Sequence, residues 1–323
     1  MPRAETAPAG ALALAARNRR GIVYMIAAMA VFAAQDGMSR HLAEASNPVF
    51  VVALRYWALA LFVIILAGRR HGGIRAVARS RRPWLQVGRG VLLAVEVIVA
   101  VWAFTLLGLA EVHAIFAVYP LMVVALSVPV LGEHVGWRRA AAVVVGFIGV
   151  LIILRPGLRV LDPAAFVAFG AAFLFAIYGL LTRFVARDDS AATSFFWTGI
   201  AGAAFMTAIV PFFWSGFAGW DWALMAVLCV TGAGGHFLLI MALASAEAAV
   251  IQPFAYVQLV LASAVGVMVF DDPMALATVI GAAVITLAGM YAFWREARQG
   301  ARQGGHQKVG QGGDQGRRSG GGQ

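Results

Sequence analysis

Long apolar runs separated by short polar junctions divide the chain from end to end. Ten of them reach the length of about 20 residues that a helix needs to cross about 30 Å of hydrocarbon at 1.5 Å per residue. They cover residues 21–39, 48–67, 84–107, 111–131, 138–155, 163–182, 192–214, 221–243, 247–270 and 274–294. Gly, Pro, Asp or Arg marks most junctions, as in Asn47-Pro48, Arg82-Pro83, Asp162-Pro163 and Asp272-Pro273. Each of these prolines can open a helix, because the N–H it lacks would be unpaired there anyway. The pattern predicts an all-α membrane protein with ten transmembrane helices.

Composition sharpens this reading. Of 323 residues, 62% are hydrophobic and 12% charged, against about 25% charged in soluble domains. The net charge of +10 is nearly all arginine, with Lys308 the only lysine. These arginines sit between apolar runs and in the tail, not among aromatics on one face, so no nucleic-acid partner is expected. With ten spans both termini share a side. That side receives Arg17, Arg19, Arg20, Arg69, Arg70, Arg75, Arg79, Arg81, Arg82, Arg138, Arg139, Arg183 and Arg187, while the other receives Arg40, Arg155 and Arg159. The excess predicts cytoplasmic termini. Cys229, the only cysteine, lies in an apolar run and reads as a small buried hydrophobe.

Residues 1–20 read as a disordered cytoplasmic leader, since the Ala11–Ala16 stretch is too short for a signal-peptide core. Residues 296–323 hold Gly, Gln and Arg and read as a disordered cytoplasmic tail. The two segments between, 21–157 and 162–295, can be laid on one another. Ala110-Glu111 precedes the fourth span and Ala246-Glu247 the ninth, and Gly149 and Gly289 sit at similar depths in spans five and ten. Each half holds five spans, so the second must enter from the opposite face. Inverted repeats of this kind serve alternating access to a site near the midplane.

The chain resembles the drug/metabolite transporter superfamily, in its EamA-type members with two five-helix repeats. The segments carrying the likeness are Leu54-Arg55-Tyr56, Arg89-Gly90, Leu109-Ala110-Glu111, Leu131-Gly132-Glu133 and Leu154-Arg155-Pro156-Gly157 in the first half. In the second they are Gly235-His236, Ala246-Glu247 and Pro253-Phe254-Ala255-Tyr256-Val257-Gln258. The resemblance implies a basket of spans one to four and six to nine around a central cavity, with spans five and ten outside. It also implies a multi-pass protein of the bacterial inner membrane. Two departures stand out. Glu96 replaces an expected small or hydroxyl residue, and Asp271-Asp272, expected to be a tolerated loop change, replaces a glycine–glutamate ending.

Ionisable groups inside the spans cost about 2.5–3.5 kcal/mol each by insertion scales, so they call for a partner or a watered cavity. Glu96, near the middle of span three, is the sharpest case and is expected to meet a cationic substrate or a coupling proton. Arg55 is deep enough to hold a carboxylate, and Asp36 is expected to pair with it or with Arg40. Trp102, Tyr119, His236, Tyr256 and Gln258 complete the expected substrate lining, although Tyr256 and Gln258 cannot both face inward. Asp36, His113 and Tyr178 join Glu96 as gating or coupling candidates. Glu111 and Glu247 read as helix-start carboxylates, and Trp214, Trp220 and Trp222 as interfacial anchors. Ala142, Gly146, Gly149, Gly281 and Gly289 allow close helix approach within the chain or to a second copy in a homodimer.

These features predict a secondary transporter that exports a small polar or amphipathic metabolite by alternating access, with proton coupling through Glu96. Uptake of a nucleoside-like or vitamin-like metabolite is the alternative. A membrane-embedded enzyme would need catalytic signatures, and no HExxH, GxSxG or GxxxxGK[ST] occurs. No catalytic residue, metal or cofactor is expected; the partners are a small solute and the lipid bilayer.

Overall fold

The computed structural model describes residues 9–69, 72–131, 137–154, 163–245, 252–291 and 294. Its helices are α1 (Ala9–Ala45), α2 (Pro48–Gly68), α3 (Gly73–Ala78), α4 (Pro83–Leu107), α5 (Leu109–Phe116) and α6 (Tyr119–Leu131). They continue with α7 (Trp137–Leu154), α8 (Pro163–Val185), α9 (Ala191–Ile209), α10 (Asp221–Ser245), α11 (Val257–Phe270) and α12 (Leu276–Tyr291). A 3₁₀ turn, Gln252–Tyr256, leads into α11. Among the described residues, seven spans are long and apolar enough to cross a membrane, and three shorter apolar helices bring the total to ten. The α5–α6 pair is one broken span, and α3 lies in a connection.

Local chemistry sets several of these boundaries. Asn47 caps α2 by accepting from the Phe50 N–H at 2.8 Å, with Pro48 in the first turn. Ser190 caps α9 in the same way through the Thr193 N–H. Span four breaks between Phe116 and Tyr119 because Pro120 has no N–H to return to the turn before it. Two expectations differ. α1 starts at Ala9, so residues 9–20 are helical where a disordered leader was expected. The Asp272-Pro273 junction opens no helix: Asp271 takes a left-handed φ of 53°, and α12 begins only at Leu276. Expectations for Glu133, Arg155, Arg159, Glu247 and the 296–323 tail lie outside the described residues.

The packing follows an exchange of halves. α1 packs on α10, and its counterpart α8 packs on α4. α4 meets α9 as α10 meets α2; α5 and α6 meet α8 as α11 and its 3₁₀ turn meet α1. α2 with α9, and α5 with α11, are pairs that map onto themselves. Such reciprocal contacts are what a two-fold axis in the membrane plane produces. Exposed Trp84 and Trp137 at one end, and Trp214, Trp220 and Trp222 at the other, form the two interfacial belts.

α7 and α12 cross at glycines. A Cβ on Gly149 would lie 2.9 Å from the Gly281 carbonyl oxygen and 2.7 Å from Ile285 Cγ1. Leu121 packs into the space beside Gly146, and the Tyr256 hydroxyl into the space beside Gly289. The small residues thus serve packing within the chain. Gly149→Leu is expected to cost about 1–3 kcal/mol through overpacking. A thermal melt in detergent checks this, and an unchanged midpoint would contradict the crossing.

Candidate functional site

Glu96 lies on the packed face of α4 and is only 3% exposed. It has no hydrogen-bond or ion-pair partner among the described residues. Arg55, Asp36 and Tyr56 are close enough to sense its charge. Its carboxylate is therefore turned into the protein and not toward acyl chains.

Asp36 and Arg55 do not pair as expected. Gln35 and Ser39 lie one turn apart on the side of α1 that faces α2, where they accept from Arg55 at 3.3 and 3.1 Å. Gln35 in turn donates to the Thr231 carbonyl at 3.2 Å. Asp36 is rotated by about 100° from Gln35. It faces α5 and α11 instead, accepting from Gln258 Nε2 at 2.8 Å and lying 3.0 Å from His113 Nε2. That His113 nitrogen makes no hydrogen bond among the described residues, so the two groups meet by proximity alone. The ring itself stacks on Phe104 at 5.5 Å. One carboxylate thus ties spans one, four and nine together.

The choice between Tyr256 and Gln258 is decided by the turn before α11. Gln258 faces Asp36, whereas the Tyr256 hydroxyl is pressed against Gly289 of α12, buried and without a partner. Tyr256 is therefore no lining residue. Trp102 is another correction. Six residues beyond Glu96, it is about 120° around the helix, is 48% exposed and shares its exposed side with Leu106. That side is separate from the packed face that carries Glu96. His236 packs edge-on against Phe32 at 5.3 Å and lies near Arg55. Tyr119 meets Phe175 at 4.8 Å, and Phe175 stacks with Tyr178 at 6.0 Å. Cys229 is half-buried, its thiol donating to the Leu54 carbonyl at 3.6 Å.

Arg89 was read only as part of the resemblance. It is 1% exposed and wholly engaged by neutral acceptors. It donates to Gln86 Oε1 at 2.9 Å, Tyr178 Oη at 3.0 Å, Thr182 Oγ1 at 3.1 Å and the Ser194 carbonyl at 2.5 Å. The guanidinium fork thereby joins α4, α8 and α9. An arginine a turn and a half inside an apolar span, with Gln86 three residues earlier, was the available signal.

Charged clusters close both ends of the bundle. At the α4 end, Arg82 pairs with Asp188 at 2.6 Å. Asp189 accepts from Ser80 Oγ, from Gln86 Nε2 at 2.9 Å and from the Arg81 N–H at 2.9 Å. Burial pushes the Asp189 carboxyl up, but these hydrogen bonds outweigh it and hold it below its ordinary value. A lowered native value stabilises above the ordinary carboxylate range, and this contribution is lost as pH falls through the native value. Asp189→Asn is therefore expected to flatten the acid limb of a melting-temperature–pH profile. Equal acid sensitivity in both proteins would count against it.

At the other end, Arg40 donates to Asp272 at 2.6 Å and to Glu44 at 2.9 Å. His41 meets Asp221 at 2.9 Å. Asp272 is not a tolerated loop change. It is 8% exposed and accepts from the Leu109 N–H at 2.9 Å, capping α5 from another part of the chain. Its carboxylate fills the space where a Cβ would stand on Gly108 or Gly266, and Gly108 also has a φ of 82°. Both reasons require glycine at 108.

The EamA-like transporter family matches residues 19–155 and again 162–294. The chain belongs to the EamA-like transporter family. Its membership places it in the drug/metabolite transporter superfamily as a multi-pass, non-enzymatic membrane transporter. It is 24% identical to the S-adenosylmethionine uptake transporter of Rickettsia prowazekii (strain Madrid E), covering 86% of this chain and 94% of that one. It is 27% identical to the riboflavin transporter of Vibrio cholerae, over 88% and 96%. A solved crystal structure superposes with a TM-score of 0.60 at 20% identity, over 88% of this chain and 99% of that chain, and shares the fold.

Proposed function

We propose that this EamA-like transporter takes up a nucleoside-like or vitamin-like metabolite across the bacterial inner membrane, with both termini in the cytoplasm. Uptake replaces the export expected at first, because the similar proteins are named for uptake of S-adenosylmethionine and for transport of riboflavin. The arginine excess on the side of the termini supports the orientation. The observation that carries the reading is Glu96, a buried carboxyl group with no hydrogen-bond or ion-pair partner among the described residues, in a bundle whose two halves pack reciprocally. Arg55, His236 and the Tyr119–Phe175–Tyr178 rings complete the solute site.

The test is counterflow in proteoliposomes with labelled S-adenosylmethionine and labelled riboflavin. Saturable accumulation of either, accelerated by the same solute inside, is expected. If neither accumulates while preloaded vesicles lose solute down a proton gradient, export is the correct direction.

Proton coupling is a second reading, favoured by the His113–Asp36 contact. Gln258 on α11, with Arg55 and Glu96 nearby, faces the same carboxylate. This moves the coupling role from Glu96 to Asp36. Asp36→Asn is expected to leave counterflow in place and remove acceleration by a pH gradient.

A further inference from the structure

The connection between α2 and α4, residues 69–82, holds Arg69, Arg70, Arg75, Arg79, Arg81 and Arg82 and no acidic residue. Its short helix α3 packs on α2 and α9. Val77 and Ala78 meet the core, and the Trp197 indole of α9 donates to the Ala78 carbonyl at 3.0 Å. Beyond α3, Ser80 Oγ and the Arg81 N–H donate to Asp189, and Arg82 pairs with Asp188. The segment is therefore held in place by α9 and by the connection between α8 and α9.

The charges on it are mostly unanswered. Asp188 is taken by Arg82, and Asp189 by Ser80, Gln86 and the Arg81 backbone. Arg69, Arg75 and Arg79 are exposed and form no ion pair among the described residues. Orientation during insertion needs only an excess of arginine on one side. It does not need those arginines held on a surface tied by hydrogen bonds to residues more than a hundred positions away.

The position of this surface names its occupant. α2 ends at Gly68 and α4 begins at Pro83, so the segment lies between two neighbouring exits from the membrane. Trp84, 87% exposed in the interfacial belt, follows Arg82 by two residues, and exposed Ile74 adjoins Arg75. Cations beside exposed apolar groups suit the boundary between headgroups and acyl chains. A guanidinium can hold phosphate through two parallel N–H bonds.

We propose that residues 69–82 form a binding surface for anionic phospholipid headgroups, with Arg69, Arg75 and Arg79 on the phosphates and Ile74 and Trp84 at the acyl boundary. Because the segment is fastened to α9 and to the α8–α9 connection, bound lipid holds the first half against the second at this end.

Thermal stabilisation of the purified full-length chain in detergent tests it, with short-chain phosphatidylglycerol and phosphatidylcholine of equal chain length as probes. An arginine at such a surface is worth about fivefold in affinity. Phosphatidylglycerol is expected to act at a concentration at least about fivefold lower than phosphatidylcholine at about 0.01 M salt, and the two to converge at about 1 M, where screening reaches about 3 Å. Replacing Arg69, Arg75 and Arg79 together by Gln is expected to bring the low-salt ratio near one. Replacing the exposed Arg17, Arg19 and Arg20 together by Gln removes the same charge and is expected to leave most of the ratio.

Equal action of the two lipids on the native chain would overturn the proposal and leave the arginines to orientation alone. A ratio that survives high salt would also overturn it, as would equal losses in the two triple variants. The native ratio and its salt dependence decide even if the first variant fails to fold.

Discussion

Glu96→Gln should reduce solute uptake by on the order of thirtyfold or more at low solute concentration, with the melting temperature nearly unchanged. The substitution keeps the shape of the side chain and removes its charge. Glu96 is expected to meet a cationic group of the solute; losing one member of such a buried pair costs about 2–5 kcal/mol, and each 1.4 kcal/mol is about tenfold in affinity. The free protein has no described partner for Glu96 to lose, so folding should be spared. Uptake kinetics in proteoliposomes, beside a detergent melt of the same preparation, separate the two effects. A large fall in melting temperature with intact transport would make Glu96 a packing residue instead.

Asp272→Ala should be the most destabilising single change at the opposite end from Asp189, at about 2–4 kcal/mol. The alanine leaves the Leu109 N–H buried without an acceptor and opens a void between Gly108 and Gly266. It also removes the closer of the two carboxylates on Arg40, which retains Glu44. Asp272→Asn should cost less, since its amide oxygen still accepts from Leu109. Asp272→Glu should not rescue, because the cradle has no room for another methylene. Melting temperatures of the three variants read this order, and a melt of Asp272→Ala equal to that of the native chain would remove Asp272 from the latch.

The number, length and order of the spans were legible because hydrocarbon makes a local demand. Each crossing must satisfy its own backbone and be apolar over about 20 residues. Asn47 with Pro48, and Pro120 in the broken fourth span, act through bonds to neighbours within one turn. The apolar runs could also say that Asp36, Arg55 and Glu96 are costly where they stand. They could not say which of them meet, since Asp36 with Gln258 joins residues more than two hundred positions apart.

What the chain determined by itself was therefore a membrane bundle of two similar halves and the set of ionisable groups within it. Only the tertiary structure decided that Asp36 serves His113 and Gln258, that Tyr256 turns outward to Gly289, and that Asp272 caps α5 and holds Arg40. The physical reason is rotational. An apolar span tolerates any rotation about its axis in lipid, so its sequence leaves the inward face open. Glycine crossings and long-range hydrogen bonds between helices select that face, and with it the side chains that a solute can reach.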